Sequence, residues 1–122
     1  MKLDAIVRKI GAVTITPTNV GNIEINRIYA GNKMSDILNE ATSDTLVVTD
    51  LNNQQLIRAA ELMDVKVICL LRDTVPARDI LTTVERYGTV ILSSPYGMYE
   101  TCGRLYQCFL NNNREADEHS FF

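Results

Sequence analysis

The chain of 122 residues has no tryptophan, three cysteines, three prolines and a single histidine. Each scarcity excludes something. Cys69, Cys102 and Cys108 are odd in number and no two share a Cys-x-x-Cys spacing, so neither a disulfide framework nor a common zinc site is encoded. Cys69 lies inside the apolar run Val67-Ile68-Cys69-Leu70-Leu71, which reads as a buried, reduced thiol of a cytoplasmic protein. The one histidine, His119, stands in a polar C-terminal stretch where no packing would hold it against a nucleophile. Ser-His-Asp and Cys-His devices therefore lack a base. Neither Gly-x-x-x-x-Gly-Lys-Ser/Thr nor Gly-x-Gly-x-x-Gly occurs, so no phosphate-loop or dinucleotide signature is present, and no cofactor is called for. Twelve Lys and Arg against fifteen Asp and Glu give a formal charge of −3, with no basic cluster of the kind that grips nucleic acid. No apolar run reaches membrane-spanning length, and polar residues interrupt the first eleven positions, so neither a membrane segment nor a signal peptide is expected.

What is present is an ordinary globular composition, 46% hydrophobic and 22% charged, in a length that suits one domain able to bury a core. Leu3, Ile6, Val7 and Ile10 follow the i, i+3, i+4, i+7 spacing of one helix face, and Gly11 stands where a left-handed residue would end that helix. Alternation then takes over at Val13 and Ile15 and again at Ile23, Ile25 and Ile28, which predicts two short strands joined by a turn-rich loop. Ser35 is placed to cap a helix carrying Ile37, Leu38 and Ala41. Three β-branched apolar runs follow, at residues 45–49, 66–71 and 89–92. Between them lie amphipathic stretches: one capped by Asn52 or Asn53 and lined by Leu56, Ala60 and Met63, and one opened by Pro76 as its first helical residue and stopped by Gly88. A last helix after Ser94 and Pro95 carries an apolar stripe of Met98, Cys102, Leu105 and Phe109, which leaves Cys108 off the stripe. Continuous apolar strands alternating with helices imply right-handed βαβ crossovers. The fold class is α/β, a three-layer, mainly parallel sheet with helices on both faces. The domain spans residues 1–110, and the polar residues 111–122 read as a disordered tail.

Parallel sheets favour ligands beyond the carboxyl ends of their strands, where helix N-termini offer free N–H groups. In this order of elements those ends carry Asp50, Asn52 and Asn53, then Arg72 and Asp73, then Ser94, with Lys33 and Ser35 on a neighbouring loop. Asp50, Asn52, Asn53, Arg72 and Ser94 are the candidate ligand-binding residues, and Arg72 is the fixed positive charge suited to a phosphate. Capping alone also accounts for most of these residue types. On the last helix, Tyr99 and Tyr106 are seven apart on a face away from the apolar stripe, fitting either a protein contact or a second core face.

Several strings resemble the DRTGG domain family, whose fold is related to the N-terminal domain of HPr kinase and the first domain of Mur ligases. They are the N-terminal helix ending at Gly11, the stretch from Ile28-Tyr29-Ala30-Gly31-Asn32-Lys33 to Leu38, the strand ending Val48-Thr49-Asp50, and Ser94-Pro95-Tyr96-Gly97-Met98-Tyr99-Glu100-Thr101-Cys102-Gly103-Arg104-Leu105. The chain carries Asp50-Leu51 where such domains show Asp-Arg, so the basic contact of that loop is absent. The resemblance implies a stand-alone or inserted regulatory module, found between paired CBS domains of some pyrophosphatases, that self-pairs and contributes to binding adenine nucleotides. It also implies an association with iron hydrogenase-type redox complexes. The expected function is thus a non-catalytic sensing or partner-docking module, a cytoplasmic homodimer with a possible nucleotide ligand or protein partner. The alternatives are an accessory subunit of a redox complex and a small phosphotransferase.

Overall fold

The computed structural model describes residues 1–16 and 20–120, with side chains as far as residue 113. The elements are α1 (Leu3–Ile10), β1 (Val13–Thr14), β2 (Arg27–Ala30), α2 (Met34–Glu40), β3 (Thr45–Val48), α3 (Gln54–Leu62), β4 (Val67–Leu70), α4 (Arg78–Tyr87), β5 (Val90–Ser93) and α5 (Met98–Ser120). The five strands form one sheet in the order β1-β5-β4-β3-β2. β2, β3, β4 and β5 are parallel neighbours, and only β1 runs antiparallel, Val13 opposite Ser93. The α/β expectation therefore holds, with one antiparallel edge.

Every residue of β3, β4 and β5 is buried, which is why these strands read as unbroken apolar runs and not as alternation. One face of the sheet, built from Leu46, Val48, Val67, Cys69, Val90 and Leu92, is covered by Leu3, Ile6 and Ile10 of α1 and by Leu105 and Cys108 of α5. The other face, with Val47, Ile68, Leu70 and Ile91, is covered by Ile37 of α2, by Leu56, Ile57 and Ala60 of α3, and by Ile80 and Val84 of α4. Each such fully buried aliphatic side chain contributes about 1.5–3 kcal/mol of burial.

Helix ends follow local chemistry where the side chain can reach. Gly11 and Gly88 take positive φ of 72° and 75° and close α1 and α4, a conformation that costs an L side chain energy. Asn53 caps α3, its Oδ1 accepting from the Leu56 N–H at 2.9 Å, so of the two expected asparagines the second serves. Two expectations need correction. Ser35 caps nothing, because α2 already begins at Met34 with Lys33 at the cap position and no side-chain cap bond. Pro76 is not the first helical residue, since Ala77 stays extended (ψ 157°) and α4 starts at Arg78.

The alternating N-terminal segments separate in space. β1 lies on one edge of the sheet and β2 on the other. Ile23 and Ile25 stop short of the sheet and hydrogen-bond the chain start, the Leu3 N–H to Ile23 O at 2.9 Å and the Ile25 N–H to Met1 O at 2.8 Å. A period of two reports extended backbone and not the identity of its partner. α5 continues to Ser120, past the boundary expected near residue 110. The side chains of Asp117, Glu118 and His119, and all of Phe121 and Phe122, lie outside the described residues.

Cys69 is fully buried, and desolvation pushes its thiol up to about 12. Cys108 departs from expectation: it is buried, its Sγ 3.4 Å from Met1 Sδ, because α1 packs beside α5 and closes that flank. Cys102, expected to face the sheet, is half-buried on the opposite flank, its Sγ 3.7 Å from Met98 Sδ.

Candidate functional site

Because β2 to β5 run parallel, the loops that follow β3, β4 and β5 open at one edge of the sheet. Asp50, Asn52 and Asn53 stand after β3, Arg72 after β4 and Ser94 after β5, so the topology brings all five candidate residues to that edge. Their side chains then divide into two groups.

Ser94 is buried and occupied internally. Its Oγ lies 2.8 Å from Thr101 Oγ1 and accepts from the Tyr96 N–H at 3.2 Å, which pins the start of α5 to the sheet. Asn53 is occupied as a cap. Thr49 is engaged in the same loop, its Oγ1 accepting from the Leu51 N–H at 3.1 Å. Asp50, Asn52 and Arg72 are exposed.

The β4 loop has the most specific construction. Arg72 and Asp73 adopt consecutive left-handed conformations, φ 55° and 57°. For side-chain-bearing residues this costs about 1–2 kcal/mol each and persists only where neighbours over-determine it. The neighbours are in place. The Arg72 N–H donates to Tyr96 O and the Asp73 N–H to Ser94 O, both at 2.9 Å, while Ser93 Oγ donates to Thr74 O at 2.9 Å. The β4 and β5 loops are thereby stitched together. The turn lays the Arg72 guanidinium over Gly97, where an added β-carbon would come within 3.1 Å of Nη2. No ion pair holds that guanidinium among the described residues, and the Arg72–Asp73 pair that the sequence permits does not form. A second arginine, Arg104, stacks its guanidinium 4.0 Å over the Tyr96 ring and bonds Glu100 Oε2 through Nε at 3.0 Å. The Tyr96 ring also passes Gly11 at the end of α1.

Sequence reasoning named Arg72 as a candidate and missed its setting: Tyr96, Gly97 and Arg104. The Pro95-Tyr96-Gly97 turn was visible, but nothing in one dimension showed that the β4 loop would fold over it. Chemically, the edge offers a guanidinium with no ion-pair partner among the described residues, suited to an anion, and beside it the exposed Asn52 amide and the Asp50 carboxylate, which suits hydroxyl or amino donors instead. Among the described residues no group of three or more His, Cys, Asp or Glu could hold a metal ion. Two surface hollows lie elsewhere, along the outer side of α5.

No family model and no curated protein matches the chain by sequence. Among solved structures, the chain is similar to the regulatory region of a Clostridium perfringens pyrophosphatase, comprising CBS and DRTGG domains and complexed with the activator diadenosine tetraphosphate. The TM-score is 0.68 at 9% identity, over 88% of this chain and 46% of that one. This is a likeness of fold, and the chain spans about half the length of that neighbour. Among the described residues, no helix is long and apolar enough to cross a membrane.

Proposed function

We propose that residues 1–110 form a DRTGG-type regulatory module that senses an adenine nucleotide and does not transform it. The observation that carries this reading is the Arg72 guanidinium, without an ion-pair partner among the described residues and held over Gly97 by a strained turn at the strand carboxyl ends. A guanidinium fixed in this way is suited to a phosphate, which it meets with two parallel N–H donors. Asp50 and Asn52, exposed on the adjacent loop, would meet ribose or base edges. Ser94 and Asn53 would support the site through the backbone, since their side chains are engaged. A fold shared with a pyrophosphatase regulatory region that was complexed with a nucleotide activator supports the same reading. The module works in the cytoplasm as a homodimer.

The test is calorimetry and thermal shift with AMP, ADP, ATP and diadenosine tetraphosphate. At least one should stabilise the protein. Arg72→Ala should weaken it about 10- to 100-fold, the range of a hydrogen bond to a charged group, while Asn53→Ala should lower stability and leave affinity nearly unchanged. No heat and no shift at millimolar nucleotide would refute the sensing reading.

A further inference from the structure

Tyr99, Gly103 and Tyr106, on the outward side of α5, take no part in the strand-end site. Tyr99 is 95% exposed and Tyr106 73% exposed, on one side of the helix. Between them sits Gly103, in the helix interior, where an added β-carbon would meet nothing within 4 Å. A mid-helix glycine weakens a helix relative to alanine, and nothing within the single chain requires one at that position. Beside Tyr106, toward the sheet edge, lies a hollow of about 380 Å³ that includes Ile28 and Ala30 of β2 with Cys102, Leu105 and Phe109 of α5, and no charged side chain lines it.

We propose that this face seats a second copy of the chain, the two α5 helices crossing antiparallel at Gly103 and each Tyr99 entering the other copy's hollow. The inference rests on the self-pairing in the functional reading above and names its surface. Three observations select a second copy as the occupant. First, the face is self-complementary. A two-fold axis at Gly103 sets residues equally spaced before and after it opposite each other, which brings Tyr99 of one copy level with Gln107 of the other, beside the Tyr106 and Phe109 that line the hollow. The absent side chain at Gly103 lets the helix backbones approach. Second, the flanking charges are already neutralised, since Arg104 bonds Glu100 within the copy. The face therefore carries no net charge that would call for an acidic or basic partner or repel its own duplicate. Third, at about 150–250 Å² per aromatic side chain, Tyr99 and Tyr106 would supply at most roughly 300–500 Å² of the ~800 Å² that a standard interface takes from each partner. Ile28, Ala30, Met98, Cys102 and Phe109 lie beside them to extend the patch.

The experiment is light scattering and sedimentation of the full chain over a concentration series, with nucleotide binding measured on the same samples. Wild-type protein should have twice the chain mass at tens of micromolar. Tyr99→Lys should raise the dimer dissociation constant at least about tenfold. Gly103→Gln should also break the dimer, yet raise the thermal midpoint of the resulting monomer, because the new side chain meets open space and favours the helix. Leu62→Lys, at a 78% exposed position on α3, should leave the mass unchanged. A dimer that survives both α5 substitutions overturns this surface while self-pairing stands. A wild-type monomer at hundreds of micromolar overturns self-pairing as well. Neither result touches the Arg72 reading, which stands or falls on the nucleotide titration.

Discussion

The two faces of the sheet are covered unequally. Three helices, α2, α3 and α4, lie on one face, and two, α1 and α5, on the other. Strand β2 registers the difference residue by residue. Tyr29 packs against the three-helix face, whereas Ile28, facing the two-helix side, remains 37% exposed. The same asymmetry divides the cysteines of α5: Cys108 is enclosed by α1, and Cys102, on the β2 flank, is left half-open. Equal hydrophobicity in a strand therefore does not mean equal burial. The number of helices that a topology sends to each face decides how much apolar surface remains for another molecule.

The largest expected contrast is in thiol reactivity. Burial raises the thiols of all three cysteines, Cys69 to about 12, so none is activated and access governs the order of labelling. In native protein diluted to the monomer a thiol reagent should modify Cys102 first, and Cys69 only through global unfolding, slower by about a thousandfold or more. Mass spectrometry of timed samples reads this directly, and early modification of Cys108 would show that the α1 flank is not closed.

Core truncation should give the next largest effect. Ile68→Ala, fully buried on the three-helix face, should cost about 2–5 kcal/mol in denaturant unfolding. Ile28→Ala, on the open side, should cost under about 1 kcal/mol if measured on monomeric protein. Comparable losses at the two positions would mean that β2 is covered on both sides.

A smaller effect should come from the hydroxyl pair that pins α5 to the two-helix face. Ser94→Ala or Thr101→Val alone strands a buried partner and should cost about 1–3 kcal/mol. The double variant should cost less than the sum, because it leaves no orphaned hydroxyl. Additive losses would show that the two groups do not depend on each other.

The elements that the sequence announced well are those with strong local causes. α1 and α4 were legible from an apolar stripe followed by a left-handed glycine, and β3, β4 and β5 from β-branched runs flanked by polar turns. Less legible were features set by a distant neighbour. Cys108 looked solvent-facing on a helical wheel because the wheel holds no record of α1. Ser94 looked like a ligand group because its hydroxyl partner, Thr101, lies a turn into the next helix. Arg72 was picked out by its position at a strand end, but its backbone strain and its seat over Gly97 arise only when the β4 and β5 loops meet.

Sequence alone determined the class of fold, the run of buried strands, the glycine stops and the common edge of the sheet at which the five candidate residues gather. Those properties follow from periodicity and backbone sterics, which act over a few residues. Tertiary structure alone decided which of the gathered groups remain free, that β1 and β2 occupy opposite edges, and that β2 and α5 share an open apolar side. Those properties depend on which surfaces close over one another, a matter of packing between residues far apart in the chain.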